Sequence, residues 1–272
     1  DAPWVIVEGQ DPAYRSLTVG KHLLDALNER LAHPAPKPTA APAPLSPQLD
    51  QVNVLNALDY TKSLARKAYK RQLEKYQGRL NLLTRDRAFR GRSLIVVFEG
   101  QDASGKVSSI RRITGALDAR HYQVIPIAAP SQEERAQPYL WRFWRHLPLK
   151  GRVTIFDRSW YGRVLVERVE GYCAEADWMR AYHEINEFEE QLVRADAIVL
   201  KFWLAITPDE QLRRFQARAQ TPFKSFKITA EDWRNRDKWD AYETAVCDMV
   251  DRTSTAMVPP AGVNLLALSS RL

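Results

Sequence analysis

Four apolar runs constrain this chain more than any other feature: SLIVVF at 93–98, YQVIPI at 122–127, RVTIF at 152–156 and DAIVLKFWL at 196–204. Between and after them the sequence changes to helical patterning, at about 106–118, 136–146, 176–194, 208–219 and 230–254. A strand with one face in water alternates apolar and polar residues. These runs are close to continuously apolar, so both of their faces must be covered. Such strands, separated by helices, predict an α/β fold built on a parallel sheet.

A composition break divides the chain. WVIVE at 4–8 reads as a strand and LTVGKHLLDALNERL at 17–31 as an amphipathic helix. The next stretch, AHPAPKPTAAPAPLSP at 32–47, holds six of the 16 prolines. It can be neither a helix nor a central strand, and residues 32–50 are read as a semi-rigid, extended linker. A single domain is expected over 51–272. Its first part, 52–82, reads as a long basic helix or hairpin carrying Lys62, Arg66, Lys67, Lys70, Arg71, Lys75 and Arg79. A solvated helix face and a surface that holds a polyanion both fit that run.

Composition limits the possible classes. Hydrophobic residues make up 45% of the 272, and no apolar run approaches the roughly 18 residues that a membrane-spanning helix needs. Asp1-Ala2-Pro3-Trp4 has no basic n-region of the signal-peptide kind. The two cysteines, Cys173 and Cys247, form no C-x-x-C pair, so a reduced, cytoplasmic protein is expected. A formal charge of +7 favours a polyanionic partner without choosing among nucleic acid, nucleotide, polyphosphate and membrane surface.

The motif with the most chemistry follows the first of the four runs. Gly100-Gln101-Asp102-Ala103-Ser104-Gly105-Lys106 is G-x-x-x-x-G-K between a strand and a helix. Its glycines allow the tight turn that presents backbone N–H groups to phosphate. The helix adds its positive end and Lys106 adds a charge. The hydroxyl residue usual after the lysine is replaced by Val107, and Ser108 is one position late. A metal therefore needs other oxygen ligands. Asp102 inside the loop is one candidate, and Asp157, at the end of the apolar run in VTIFDRSWYGR, is the other. Arg158 and Arg163 follow it and suit phosphate oxygens. Further on, Arg218, Lys224 and Lys227 flank a Thr-Pro turn between two helices, and Thr229 with Asp232 has the spacing of a capping box. A basic connection of that kind suits a lid that brings cations over a transferred group. It also suits a plain basic surface loop.

FEGQDASGK, YLWRFWRHLP, IFDRSWYGRVLVERVEG and TPFKSFKIT, in that order, resemble the type-two polyphosphate kinase family over about residues 51–258. The resemblance implies a P-loop kinase fold, with a parallel sheet of about five strands between helices and a helical lid at about 213–235. It implies Mg²⁺ held by Asp102 and Asp157, and phosphates bound by Gly100, Gly105, Lys106, Arg158 and Arg163. Arg218, Lys224 and Lys227 would belong to the lid and bind polyphosphate. Two departures stand out. Val107-Ser108 occupies the place of Gly-Gly, and Thr221, Phe226 and Thr229 replace Asp, Trp and Ser of the lid pattern.

E-G-Q-D occurs twice, at Glu8–Asp11 and at Glu99–Asp102. After Gly9 a Gly-Lys pair arrives only at Gly20-Lys21, too late for a phosphate loop, so the first copy is a look-alike. Residues 1–31 instead resemble the terminal strand and helix that close a repeat of this family, joined by the linker to a second repeat. Tandem members are similar to enzymes that make ADP from AMP and polyphosphate. The implied activity is phosphoryl transfer from inorganic polyphosphate to an adenine nucleotide, with AMP going to ADP. The implied partners are those two substrates and a homo-oligomer or second repeat, with no nucleic acid and no membrane. A degenerate repeat that binds polyphosphate without turnover, and an ATP-dependent nucleotide kinase, remain open alternatives.

Overall fold

The computed structural model describes residues 3–32, 54–222 and 229–255. Most of the expected linker, the two lid lysines Lys224 and Lys227, and the tail from 256 onward lie outside the described residues.

The chain begins with β1 (Trp4–Glu8) and α1 (Pro12–Ala32) and resumes with α2 (Arg66–Arg85). β2 (Ser93–Gly100), α3 (Lys106–Thr114) and β3 (Tyr122–Pro126) follow, then the short helices α4 (Gln132–Arg135) and α5 (Trp141–Trp144). Next come β4 (Val153–Asp157), a short α6 (Val166–Glu170), α7 (Glu175–Arg194), β5 (Ala197–Ala205), α8 (Pro208–Ala219), α9 (Ala230–Asp237) and α10 (Trp239–Thr253). The five strands form one sheet in the order β1-β5-β2-β4-β3, and every pairing is parallel.

Strand alternation sorts the apolar runs onto two faces. Ile95, Val97, Val199 and Phe156 join Tyr182, Ile185 and Phe188 of α7 and Met249 of α10 on one side. Leu94, Val96, Phe98, Leu200 and Phe202 join Leu23, Leu24 and Leu27 of α1, Leu80 of α2 and Ile110 and Ile113 of α3 on the other. Coverage on both faces is the physical reason for the unbroken apolar runs of β2, β4 and β5, whereas β3, at the sheet edge, is exposed over much of its length despite its apolar run. Residues 3–32 are part of this fold. β1 lies beside β5 in register from Trp4–Lys201 to Glu8–Ala205, and α1 supplies a large part of the second core.

The helix boundaries differ from the periodicity in identifiable ways. Of the helix expected at 136–146 only the short α5 forms; α4 ends at Arg135, and Pro138 between them has no N–H to continue a ladder. The pattern at 230–254 is split at Lys238, where φ is −103° and ψ is 26°. The basic stretch 52–82 becomes helical only at Arg66 and then continues to Arg85. α1 starts earlier than its apolar pattern, at Pro12, where the Asp11 carboxylate accepts the Tyr14 N–H and caps the first turn. Among the described residues no helix is long and apolar enough to cross a membrane.

Candidate active site

β2 delivers the phosphate-loop sequence to the carboxyl ends of the strands, where open α/β sheets bind ligands. Gly100 has φ 145°, and a Cβ there would meet the Leu204 carbonyl oxygen at 2.6 Å. Gly105, at φ 107°, caps α3, and a Cβ would collide with the Arg15 guanidinium. Between them Ala103 sits at φ 63° and, after β4, Arg158 at φ 64°. A non-glycine residue held in that region costs on the order of 1–3 kcal/mol, and such residues gather at functional sites.

The loop's charges face one another. Arg158 donates to Asp102 Oδ1 at 3.1 Å, and Asn235 of α9 donates to Asp102 Oδ2 at 2.9 Å. Lys106 Nζ folds back onto the Gly100 and Gln101 carbonyls at 2.7 and 3.1 Å. Desolvation lowers the Lys106 pKa, opposed by the charges of Asp102, Asp157 and Glu99. Glu99 is buried. Its pKa is raised by that burial and pulled back by the hydroxyl of Ser159, which donates to it at 2.8 Å. Asp157 ends β4 half-buried, in register with Phe98.

Glu99, Gly100, Gln101, Asp102, Arg158 and Asn235 line one side of a cleft of about 660 Å³, counting its open mouth. Glu99, Asp102 and Arg158 give it charge, whereas Leu165, Trp203, Trp239 and Tyr242 give it an apolar and aromatic wall. That size and mixture suit a small ligand with a flat apolar part and an anionic part.

The sequence-predicted residues are not all in one place. Gly100, Asp102 and Arg158 line the cleft, and Gly105 and Lys106 belong to the same loop. Arg163 does not line it. Its guanidinium lies 4.2 Å from the centre of the Tyr139 ring and pairs with Glu167 at 3.1 Å. Arg218 is half-buried on the last turn of α8. The capping box forms as the spacing predicts, with Thr229 N–H donating to Asp232 at 2.8 Å.

Sequence reasoning missed Asn235, Gln211, Arg214 and Arg15. Gln211 donates to the Asp102 carbonyl at 3.1 Å, and Arg214 to the carbonyls of Ala103 and Ser104 at 2.9 and 3.1 Å. Arg15 also donates to the Ser104 carbonyl, at 3.1 Å. For Arg15 a signal existed, because it follows the look-alike E-G-Q-D. β1 and β2 flank β5 on opposite sides, β2 ending in Gly100 and β1 followed at once by Gly9, each glycine pressed on β5. A Cβ on Gly9 would meet the Ala205 carbonyl oxygen at 2.5 Å. The repeated tetrapeptide therefore reflects one structural need met twice.

Among the described residues no group of three or more His, Cys, Asp or Glu side chains could hold a metal alone. Asp102 and Asp157 give an incomplete set of hard oxygen donors. That donor chemistry fits Mg²⁺, which binds through one or two carboxylates and completes its shell with phosphate oxygens and water.

Comparison with known proteins matches this architecture. The sequence model described as Polyphosphate kinase 2 (PPK2) matches residues 63–264. The chain is 59% identical over 259 residues to a polyphosphate:AMP phosphotransferase of Pseudomonas aeruginosa, covering 95% of this chain and 52% of that protein. It is 45% identical to the protein of the same name from Acinetobacter johnsonii, over 94% of this chain and 52% of the relative. This chain thus spans about half the length of these two curated relatives. A crystal structure of a polyphosphate kinase 2 from Pseudomonas aeruginosa superposes with a TM-score of 0.75 at 57% identity, over 90% of this chain and 50% of that one. A second, from Arthrobacter aurescens, gives 0.65 at 32% identity, over 70% and 68%. The parallel five-stranded sheet is that of a P-loop kinase, and the chain belongs to the polyphosphate kinase 2 family.

Proposed function

We propose that this chain transfers a phosphoryl group from inorganic polyphosphate to AMP, giving ADP and a polyphosphate one unit shorter. The observation that carries this reading is the juxtaposition of Gly100, Gln101 and Asp102 of the phosphate loop and Arg158 with the aromatic wall of Trp203, Trp239 and Tyr242 in one cleft. A nucleotide needs both halves. The choice of AMP is supported by the names of the relatives that share 59% and 45% of their aligned residues with this chain.

An oxygen of the AMP phosphate attacks the terminal phosphorus of the chain. The new P–O bond forms as the bridging P–O bond breaks, and the shortened polyphosphate leaves with the electron pair. Little covalent chemistry falls to the protein, so its task is position and charge. Lys106, released from the Gly100 and Gln101 carbonyls, and Arg158 stabilise the negative charge on the phosphoryl oxygens. Arg218, Lys224 and Lys227 close over the polyphosphate end, and Arg163 acts from the edge of the site. Asp102 and Asp157 would hold Mg²⁺, which when bound neutralises phosphate charge. Asp102 would share its oxygens between the ion and Arg158 and Asn235, or exchange one of those donors for the ion.

The same reading takes residues 1–31 as resembling the end of a preceding repeat, 32–50 as a linker and 51–272 as the catalytic repeat, on whose sheet and core residues 3–32 pack through β1 and α1. It places the protein in the cytoplasm, as a homo-oligomer or paired with a second repeat. The test is ADP formation by the purified chain with Mg²⁺ and AMP, with long-chain polyphosphate or ATP as donor. ADP from polyphosphate alone supports the proposal. Polyphosphate binding without turnover means a degenerate repeat, and turnover with ATP alone means a nucleotide kinase. Asp157→Asn should cost more than tenfold in kcat, or over about 1.4 kcal/mol, while leaving the fold intact. A smaller loss removes the metal role.

A further inference from the structure

In this structure each carbonyl from Gly100 to Ser104 accepts a hydrogen bond from a side chain. Lys106 takes the first two, Gln211 takes Asp102, and Arg214 takes Ala103 and Ser104. Arg15 donates to Ser104 as well. In a trans peptide the C=O of one residue and the N–H of the next point in opposite directions. A carbonyl drawn toward α1 and α8 therefore turns the following amide the other way. Bonds to Asp102 and Ser104 set the amides of Ala103 and Gly105.

The Ser104–Gly105 peptide has most need of such a hold. Gly105 at φ 107° has no side chain to resist a peptide flip, and a flipped Ser104 carbonyl would show an anion its oxygen in place of an N–H. Two guanidinium groups on one carbonyl oppose that flip. Both are anchored from behind. Arg214 is gripped by Glu210 at 2.6 Å and donates to the Gln10 carbonyl at 2.8 Å. Arg15, only 3% exposed, donates to the Gly9 carbonyl at 3.0 Å. Burial lowers its pKa to about 10, with Arg214 and Arg112 adding to the effect. A buried cation set among other cations is an expensive way to fill a core.

The geometry points to Arg15 and Arg214 as positioning residues that fix the phosphate loop with its amides turned toward the substrate. The look-alike E-G-Q-D segment serves as their anchor. The inference rests on the phosphate-transfer reading for its functional consequence, but the brace itself is a property of the loop.

The test uses the whole 272-residue chain. Arg15→Lys and Arg214→Lys retain a cation and lose the two-pronged donor. The expected results are amide hydrogen exchange at residues 101–106 at least tenfold faster, kcat with polyphosphate at least tenfold lower, and KM for AMP within about threefold of the parent. Arg213→Lys shares the Glu210 partner but touches no loop carbonyl, so loop exchange should stay at the parent rate. Should Arg15→Lys fail to fold, Arg214→Lys carries the test, supported by Glu210→Gln, which loosens Arg214 from behind. Loop exchange unchanged in Arg214→Lys overturns the inference, as does faster exchange with kcat unchanged. Faster exchange in a chain that forms no ADP with any donor leaves the brace standing and removes the phosphate-transfer reading instead.

Discussion

Asn235 of α9 donates a 2.9 Å hydrogen bond to Asp102 in the loop after β2, joining α9 to the carboxylate proposed to hold metal. Arg158 occupies the other oxygen of Asp102, so an ion arriving there shares the carboxylate with these donors or displaces one of them. Asn235→Asp places a second carboxylate where a donor stood. At about 4 Å and surface-like dielectric, like charges repel by roughly 1–4 kcal/mol. The variant is expected to melt lower than the parent without Mg²⁺ and to gain more from millimolar Mg²⁺ than the parent does. Thermal melts with and without the ion check this. Equal Mg²⁺ response in both proteins would separate Asn235 from the metal site.

Lys201 in the middle of β5 is fully buried. It donates to Glu189 at 2.7 Å, to the Tyr161 hydroxyl at 2.8 Å and to the Thr253 carbonyl at 2.9 Å. Trp160 and Tyr161 both donate to the other oxygen of Glu189. Lys201→Met leaves a buried carboxylate without its cation and is expected to cost about 3–5 kcal/mol. Lys201→Met with Glu189→Leu should recover most of that loss, because an apolar pair of similar size removes the desolvation penalty. Urea unfolding of the single and double variants distinguishes the two. A double variant no more stable than the single would mean that the network's hydrogen bonds, not its charge balance, hold α7 and α10 to the sheet.

The sheet was legible because β2, β4 and β5 are buried on both faces, and the phosphate loop because G-x-x-x-x-G-K stands between a strand and a helix; the edge strand β3 was legible from its run although much of it is exposed. Lys201 shows one limit. Inside DAIVLKFWL a single lysine reads as an interruption of an apolar strand, since its partner Glu189 lies on α7 and nothing local announces the pair. Asn235, Gln211 and Arg214 show another. They sit on helical faces whose patterning reports only which side meets the core, whereas their role depends on how α8 and α9 approach the loop. Arg163 was placed at the phosphates by its position after Asp157. In the structure the turn at 160–163 sets it against Tyr139 and Glu167, outside the cleft wall.

Val107, directly after the loop lysine, is 49% exposed and is not part of the cleft wall. Its side chain therefore leaves the first turn of α3 free at the anion-facing side. Val107→Gly is expected to raise kcat by no more than about tenfold, or ~1.4 kcal/mol. It should also lower stability by on the order of 1 kcal/mol, because the position is helical. Steady-state kinetics with polyphosphate and AMP, beside a thermal melt, check both parts. Rescue of an inactive parent by orders of magnitude would instead identify this repeat as disabled by its valine.

Glu210 is 5% exposed and holds Arg213 and Arg214 together. Burial alone would push its carboxyl up, but the hydrogen bonds and charges of the two arginines outweigh it and leave the pKa below the usual 4.5. A carboxylate with a depressed folded pKa binds fewer protons in the folded state than in the unfolded state. Its stabilising contribution is therefore present above about pH 4.5 and is lost as pH falls through the folded value. Glu210→Gln lacks that contribution at every pH. At about pH 6 it is expected to be less stable than the parent by roughly 2 kcal/mol, the scale of a lost charged hydrogen bond. The gap between the two proteins should narrow as pH is lowered toward about 3, because only the parent has this proton still to take up. Thermal melts of both at matched ionic strength give the comparison. Parallel curves over that range would mean that Glu210 stays ionised in the unfolded chain to the same pH, and that its grip on Arg214 owes nothing to charge.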